Sequence, residues 1–436
     1  MKKFISPLIV FAGAFTATLL FQKYTFAWQE YEGLFLWSAD YFSSMFQKPW
    51  PVSGIIGDWL TQFFRFGVYA PLTVGLGVML AFILVRSILG RFSLGHDVFP
   101  AIASCGFWLF VAFAPTAKRG VAAILIIFGI WILSRLLPSR QNRNRGWIFT
   151  LAITAGTFLF LFLSTDISER EANAELCTAT AMADWDRVLT VATPEACEKD
   201  RSMMPFAFLA LGEKGQLGNR LFNYPVQSQR DFDMSGIEDS YPTLFFKGCL
   251  YQALSCPNES MHNFFQLATL QEHGQSFLVI RHLIADCFLN GDYDLVKKYC
   301  SVLSRSTLHS QYVKYFLGLT EKGTPHAPDS VTFRKTVPLI SQDPLYNLFL
   351  FEGTGMHSVS SMDRLLCTLL IQRQPERFRD LFMSVKHMYP IIPRYYEEAL
   401  VIAGGADNLI STSTSKRYSD LQWDPDTYWF YYMSGN

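Results

Sequence analysis

The chain has 436 residues, enough for two or three domains. Half are hydrophobic, only 17% are charged, and 37 Lys+Arg balance 37 Asp+Glu. A neutral chain carries no basic field, so no nucleic-acid partner is expected.

These averages hide a split. Long charge-free runs fill residues 1–165, whereas acids and bases are spread through 166–436. A spanning helix needs about 20 mostly apolar residues, because the hydrocarbon core is ~30 Å thick. Five stretches approach that length: Ile5 to Phe21, Val68 to Leu89, Val98 to Pro115, Gly120 to Leu137, and Trp147 to Ser164. Backbone polar groups in lipid must be satisfied internally, so these read as helices. Lys2 and Lys3 before the first stretch also fit a cleaved signal peptide. No small-x-small site closes that run, and an uncleaved span is the expectation.

The Lys and Arg near the helix ends set the orientation. With the N-terminus inside, the inner segments hold eight such residues and the outer segments five. The cluster from Arg135 to Arg145 votes most strongly. Five spans then put 166–436 outside, which means the periplasmic face of a bacterial inner membrane.

The outer loop over 22–66 carries two amphipathic stripes. One is Leu34, Phe35, Tyr41, Phe42, Met45 and Phe46. The other places apolar residues at 55, 56, 59, 60, 63 and 64, with Asp58, Thr61, Gln62 and Arg65 opposite. Helices of this kind are expected to lie in the headgroup plane and pack on the bundle. Lys48-Pro49-Trp50-Pro51 breaks between them.

Helical periodicity continues through 166–436. Phe277, Ile280, Leu283, Ile284, Cys287 and Phe288 form one stripe, and Leu295, Val296, Tyr299, Cys300 and Leu303 the next. Asn290-Gly291 turns the chain between them, and Asp292 suits an N-cap. Ala183-Asp184-Trp185-Asp186 echoes Gly291-Asp292-Tyr293-Asp294. Met362 to Arg373 followed by Pro375 to His387 makes a further pair, with Pro375 suited to a first turn. Turn-rich segments near 228–241 and 323–337 interrupt the series. Helix pairs at this spacing predict a tetratricopeptide-like α-solenoid. The fold class is thus all-α: a transmembrane bundle of about five spans, then a helical-repeat domain. The C-terminal aromatics Trp423 and Tyr428 to Tyr432 must bury against the domain, the bilayer or a partner.

The chain resembles the bacterial membrane protein family known as domain of unknown function 6057. The resemblance runs over nearly the whole chain. It rests on Gly-Ile-Ile-Gly-Asp-Trp-Leu-Thr-Gln-Phe-Phe at 54–64, on 206–217 with Leu221 to Tyr224 and Gln227, and on Gly291 to Asp294. Tyr396 to Leu400 and the Tyr428-Trp429 tail add to it. Family members carry a Pro-Gly-Gly turn where this chain has Pro51-Val52-Ser53-Gly54. The resemblance implies an envelope location and a tetratricopeptide-like outer domain, and it brings no activity.

The chain has no Walker loop, nucleophile elbow, dinucleotide fingerprint or His-Glu-x-x-His. No cofactor and no metal are expected. His282 and Asp286 share a helical face, but two ligands do not make a site, and a capped or surface pair is the plainer reading. Of the eight cysteines, Cys287 and Cys300 are the favoured disulfide pair if that region is extracytoplasmic, while buried reduced thiols are the plainer reading.

Two functions compete. The first is a membrane-anchored scaffold, whose partners are the lipid bilayer and a protein or peptide on the repeat surface. The second is a glycosyltransferase-like enzyme acting on a lipid-linked substrate. Its catalytic carboxylates would come from Glu30, Glu32, Asp40 and Asp58 in the outer loop.

Overall fold

The computed structural model describes residues 4–91, 97–136, 147–234, 236–271, 276–321, 359–404, 421 and 423–435. The basic cluster from Arg140 to Arg145 and the turn-rich segment 323–337 lie outside the described residues. Among the described residues the chain is helical throughout, without strands.

The first part comprises α1 (Ile5–Phe21), α2 (Lys23–Glu32), α3 (Ala39–Phe46), α4 (Pro51–Thr61), α5 (Tyr69–Leu89), α6 (Val98–Phe113), α7 (Ala117–Ser134), α8 (Trp147–Phe162) and α9 (Thr165–Ala181). By length and composition, α5 and α7 suffice to cross a membrane. Two bent pairs are also apolar enough: α1 with α2, at 74°, and Thr150–Phe162 with Thr165–Ala181, at 59°. Among the described residues, then, two helices qualify by themselves, or up to four spans if each bent pair crosses once; α6 is apolar but shorter.

Cα packing divides the chain into two compact units. The first holds Met1–Thr178 together with Gln275–Ile280 and Lys298–Leu317. The second holds Ala179–Gly274, Arg281–Lys297 and Gly318–Asn436.

In the first unit, α1 packs against α5, α6 and α8. Small residues permit this. A side chain at Gly13 would collide with Thr154, and one at Gly75 would meet Phe11. Val10, Ala14, Val78, Phe82, Cys105 and Trp108 lie in the core between the helices. The bend after α1 has a polar cause. Gln22 Nε2 donates to the Ala112 carbonyl at 2.8 Å. Glu171 then caps α2, accepting from Tyr24 N at 2.7 Å and Thr25 N at 2.8 Å, two of the donors every helix start leaves open.

The second unit is built from helix pairs with one recurring turn. Its helices include α10 (Trp185–Val191), α11 (Pro194–Lys199), α12 (Met204–Glu213), α13 (Leu217–Arg220), α14 (Gln229–Asp233), α15 (Tyr241–Ala253) and α16 (Pro257–Thr269). Along the chain follow α17 (Phe277–Asn290), α18 (Tyr293–Leu303) and α19 (Ser310–Glu321), parts of which belong to the first unit through Gln275–Ile280 and Lys298–Leu317. Then come α20 (Val359–Ile371), α21 (Pro375–Val385), α22 (Arg394–Gly404) and α23 (Tyr428–Met433) within the second. Six helices end on a left-handed residue, and at five of these, Ala183, Gly215, Ser255, Gly291 and Arg373, one closing bond recurs. In each case the next N–H bonds the carbonyl five residues back. The bonds are Asp184 to Ala179, Gln216 to Leu211, Cys256 to Tyr251, Asp292 to Cys287 and Gln374 to Leu369, at 2.8–3.0 Å. This is the Schellman turn, which satisfies the orphan carbonyls of one helix while aiming the chain into the next. The first four recur at intervals of about 32 to 40 residues, the range of helical repeats.

Helix α20 runs through the middle of this unit with every residue from Ser361 to Ile371 buried. The aromatic tail is buried in the same unit only in part: Tyr428 and Tyr431 are buried, Trp429, Phe430 and Tyr432 half-buried, and Trp423 exposed. Thr427 caps α23, Glu398 Oε2 accepts from Tyr428 N at 2.8 Å, and the Phe222 ring packs on Tyr428 and Tyr431.

Candidate functional site

The outer loop folds against parts of the chain far from it in sequence. Leu34, Phe35 and Leu36 are buried in extended chain, not in the helix that their stripe predicts. The Gly33 carbonyl accepts from Phe277 N at 3.1 Å, and Trp37 N donates to the Arg305 carbonyl at 2.9 Å. These backbone bonds hold the stretch extended, and the helix begins only at α3, where Ser38 accepts from Tyr41 N. Helix α4 starts after Trp50, whose left-handed backbone turns the chain, with Pro51 in the first turn.

The four outer-loop acids have separate environments. Glu30 is buried, and its Oε1 lies 3.3 Å from His309 Nε2. The His309 ring stacks on Phe277, with centroids 3.7 Å apart. Asp58 is also buried: Lys118 Nζ is 3.2 Å from Oδ1, and the Tyr41 hydroxyl donates to Oδ2 at 2.8 Å. Glu32 is exposed and accepts from Trp28 Nε1 at 3.0 Å. Asp40 is exposed in the first turn of α3. Asp58 is thus paired with the Lys118 ammonium, and Glu30 faces the His309 imidazole.

Helix α4 departs from the expected facing. Its buried residues are Ser53, Gly54, Gly57, Asp58 and Thr61, so the polar side points into the protein. Gln62, just beyond it, accepts from Ser306 Oγ and from Thr307 N, both at 3.3 Å. Val52, Ile56 and Trp59 are exposed instead, by 52%, 37% and 40%. The cause is tertiary pairing: Lys118, Tyr41, the Ser306 hydroxyl and the Thr307 N–H supply the polar partners that water would otherwise supply.

The second unit holds two buried polar networks. His282 and Asp286 are both buried rather than at the surface, bridged by Gln252. Gln252 Nε2 donates to Asp286 Oδ1 at 2.8 Å, and its Oε1 lies 2.9 Å from His282 Nδ1. Phe264 stacks on the imidazole at 4.2 Å. Burial pushes the Asp286 carboxyl up to about 8 and the His282 imidazole well below its ordinary range. Both groups are therefore held neutral, and the pair is a hydrogen-bonded bridge. The other network lies on α20. The Tyr389 and Tyr396 hydroxyls each donate to Asp363 Oδ1 at 2.8 Å, and burial raises that carboxyl to about 6. Arg364, also buried, lies over the Phe232 ring.

Among the described residues no group of three His, Cys, Asp or Glu side chains is placed to hold a metal ion. Cys287 and Cys300 are buried free thiols. His309, Lys118 and Ser306 did not stand out in the sequence as partners of the outer loop. They lie about 60 to 280 residues from the groups they meet, and nothing local signals such pairings.

No curated protein and no solved structure matches the chain. The model of DUF6057, a family of unknown function, matches residues 1–178 and 118–425. The chain therefore belongs to the DUF6057 family.

Proposed function

We propose that the protein is a membrane-anchored scaffold, whose helical repeats bind a partner protein or peptide at the outer face of a bacterial inner membrane. The observation that carries this reading is the Schellman turn repeated at Ala183, Gly215, Ser255, Gly291 and Arg373. Arrays of helix pairs joined by one kind of turn present a long, regular surface, which repeat proteins use for protein recognition. In this reading the array is tetratricopeptide-like, and α1, α5, α6, α7 and α8 all cross the bilayer. Positive charge near the inner ends keeps the N-terminus cytoplasmic and puts the repeat unit in the periplasm.

Crosslinking in whole cells, followed by purification through the C-terminus, tests the scaffold reading. A discrete partner that is lost when exposed repeat residues are substituted supports it. No partner above background, in cells where deletion has a phenotype, overturns it. A C-terminal alkaline phosphatase fusion tests the orientation, with activity expected; an inactive fusion beside an active cytoplasmic reporter at the same position reverses it.

A further inference from the structure

We infer that α4 is a lipid-facing helix: its Val52, Ile56 and Trp59 stripe contacts bilayer acyl chains, while its polar side is sealed against the protein. This deepens the membrane-anchored reading and rests on it.

The argument begins with the reversed facing. A helix lying in the headgroup plane turns its polar side to water. Here Asp58, Thr61 and Gln62 are turned inward and Val52, Ile56 and Trp59 outward, while Leu60 and Phe64 pack on the core. In water that arrangement is unfavourable twice over. The apolar stripe gains nothing from the hydrophobic effect, and an ion pair is desolvated without need. Against hydrocarbon both features are favourable. Lipid demands that Asp58 be paired, and Lys118 and Tyr41 pair it.

Continuity with the apolar helices names the occupant. Gly57 brings α4 against the Lys118 backbone at the start of α7, a helix long and apolar enough to span. Within α7 only Ser134 is buried, and Ile126, Phe128, Ile130, Ile132 and Leu133 are exposed, so that side of the helix is open to lipid. On the other side, Trp59 packs on Phe63, and Phe63 on Tyr69, the first residue of α5. From there Leu72, Leu76 and Leu80 continue the exposed apolar surface along α5. The α4 stripe thus extends surfaces already committed to the bilayer. Arg65, exposed beyond the helix with its guanidinium over the Phe66 ring, suits the headgroup level.

The test uses nitroxide labels on the full-length protein in phospholipid bilayers. Val52→Cys, Ile56→Cys and, as a reference on α5, Leu80→Cys are labelled one at a time. The signal of the unsubstituted protein is subtracted. Collision with oxygen, which concentrates in hydrocarbon, is compared with collision with a water-soluble nickel chelate. At positions 52 and 56 oxygen is expected to dominate, as at 80. If 80 lies in lipid but 52 and 56 meet the nickel chelate, α4 faces water and the inference fails. If 52 and 56 meet neither reagent, a protein covers them and it fails equally. If 80 itself meets the nickel chelate, the membrane-anchored reading falls, and this inference with it.

Discussion

His309 Nε2 stands 3.3 Å from Glu30 Oε1, and each side chain is only 2% exposed. The pair links the outer loop to the segment Lys298–Leu317 within one compact unit. Phe277, stacked on the imidazole, brings in a third stretch of chain. Three separate segments thus meet at one buried contact, which makes it a structural clasp before it is anything else.

Removing one partner of a buried pair typically costs ~3–5 kcal/mol, because the other is left uncompensated. Glu30→Ala is expected to lower the unfolding temperature of the detergent-solubilised protein sharply. Asp40→Ala removes an exposed acid and is expected to shift stability by no more than about 0.5 kcal/mol. Equal melting of the two variants would show that the Glu30–His309 contact carries no stability.

Gly57 permits the close approach of α4 to α7. A Cβ there would stand 2.7 Å from Lys118 Cγ and 2.8 Å from its Cα and N. The Lys118 backbone cannot move without moving α7. Gly57→Ala is therefore expected to destabilise by ~1–3 kcal/mol, the usual cost of overpacking. Gly106→Ala in α6 meets nothing within 4 Å and should be neutral or stabilising by up to ~1 kcal/mol through helix propensity. Thermal unfolding of both variants beside the parent protein gives the comparison.

The recurring turn predicts opposite effects from opposite substitutions. Ser255 holds a left-handed backbone at φ 60°, and Gly291 holds one at φ 78° with open space around it. Left-handed geometry costs a residue with a Cβ ~1–2 kcal/mol, partly offset by the lower unfolded-state entropy of that residue. Ser255→Gly should therefore stabilise the repeat unit by about 0.5–1 kcal/mol, and Gly291→Ala should destabilise it by a similar amount. Local hydrogen exchange at Cys256 N and Asp292 N, which close the two turns, reads each effect where it arises.

The His282–Gln252–Asp286 bridge makes stability depend on pH in two opposed ways. Folded Asp286 keeps its proton up to about 8, whereas the unfolded chain releases it above about 3.8. Its contribution is full below the lower value and is lost as pH rises toward 8. His282 stays neutral when folded, whereas the unfolded chain binds a proton below about 6.5. Its contribution is present above that value and is lost on acidification. Asp286→Asn removes the first effect only. The variant should gain on the parent steadily between pH 4 and pH 8 when unfolding temperatures are compared. Parallel profiles across that window would mean that Asp286 is ionised in the folded protein.

Much of this architecture is local in origin and so legible in the sequence. Apolar runs such as Tyr69–Leu89 declare themselves by composition, and the turn after Asn290 by its glycine. The matching turns at Ser255 and Arg373 were not legible, because neither residue type favours the left-handed region and the surrounding packing imposes it. The aromatic tail required burial on composition alone. That Phe222 and Glu398 would receive it followed only from the fold.

The outer loop divides the two contributions most clearly. The sequence by itself determined that the stretch from residue 54 begins as a two-sided helix, because 3.6-residue periodicity is a property of neighbouring positions; the helix ends at Thr61, short of residue 66. Which side faces inward was decided by tertiary structure alone. Lys118, Tyr41, Ser306 and Thr307 supply Asp58 and Gln62 with partners inside the protein. A polar side chain lies wherever its hydrogen bonds are satisfied, and those partners come from distant stretches of the chain.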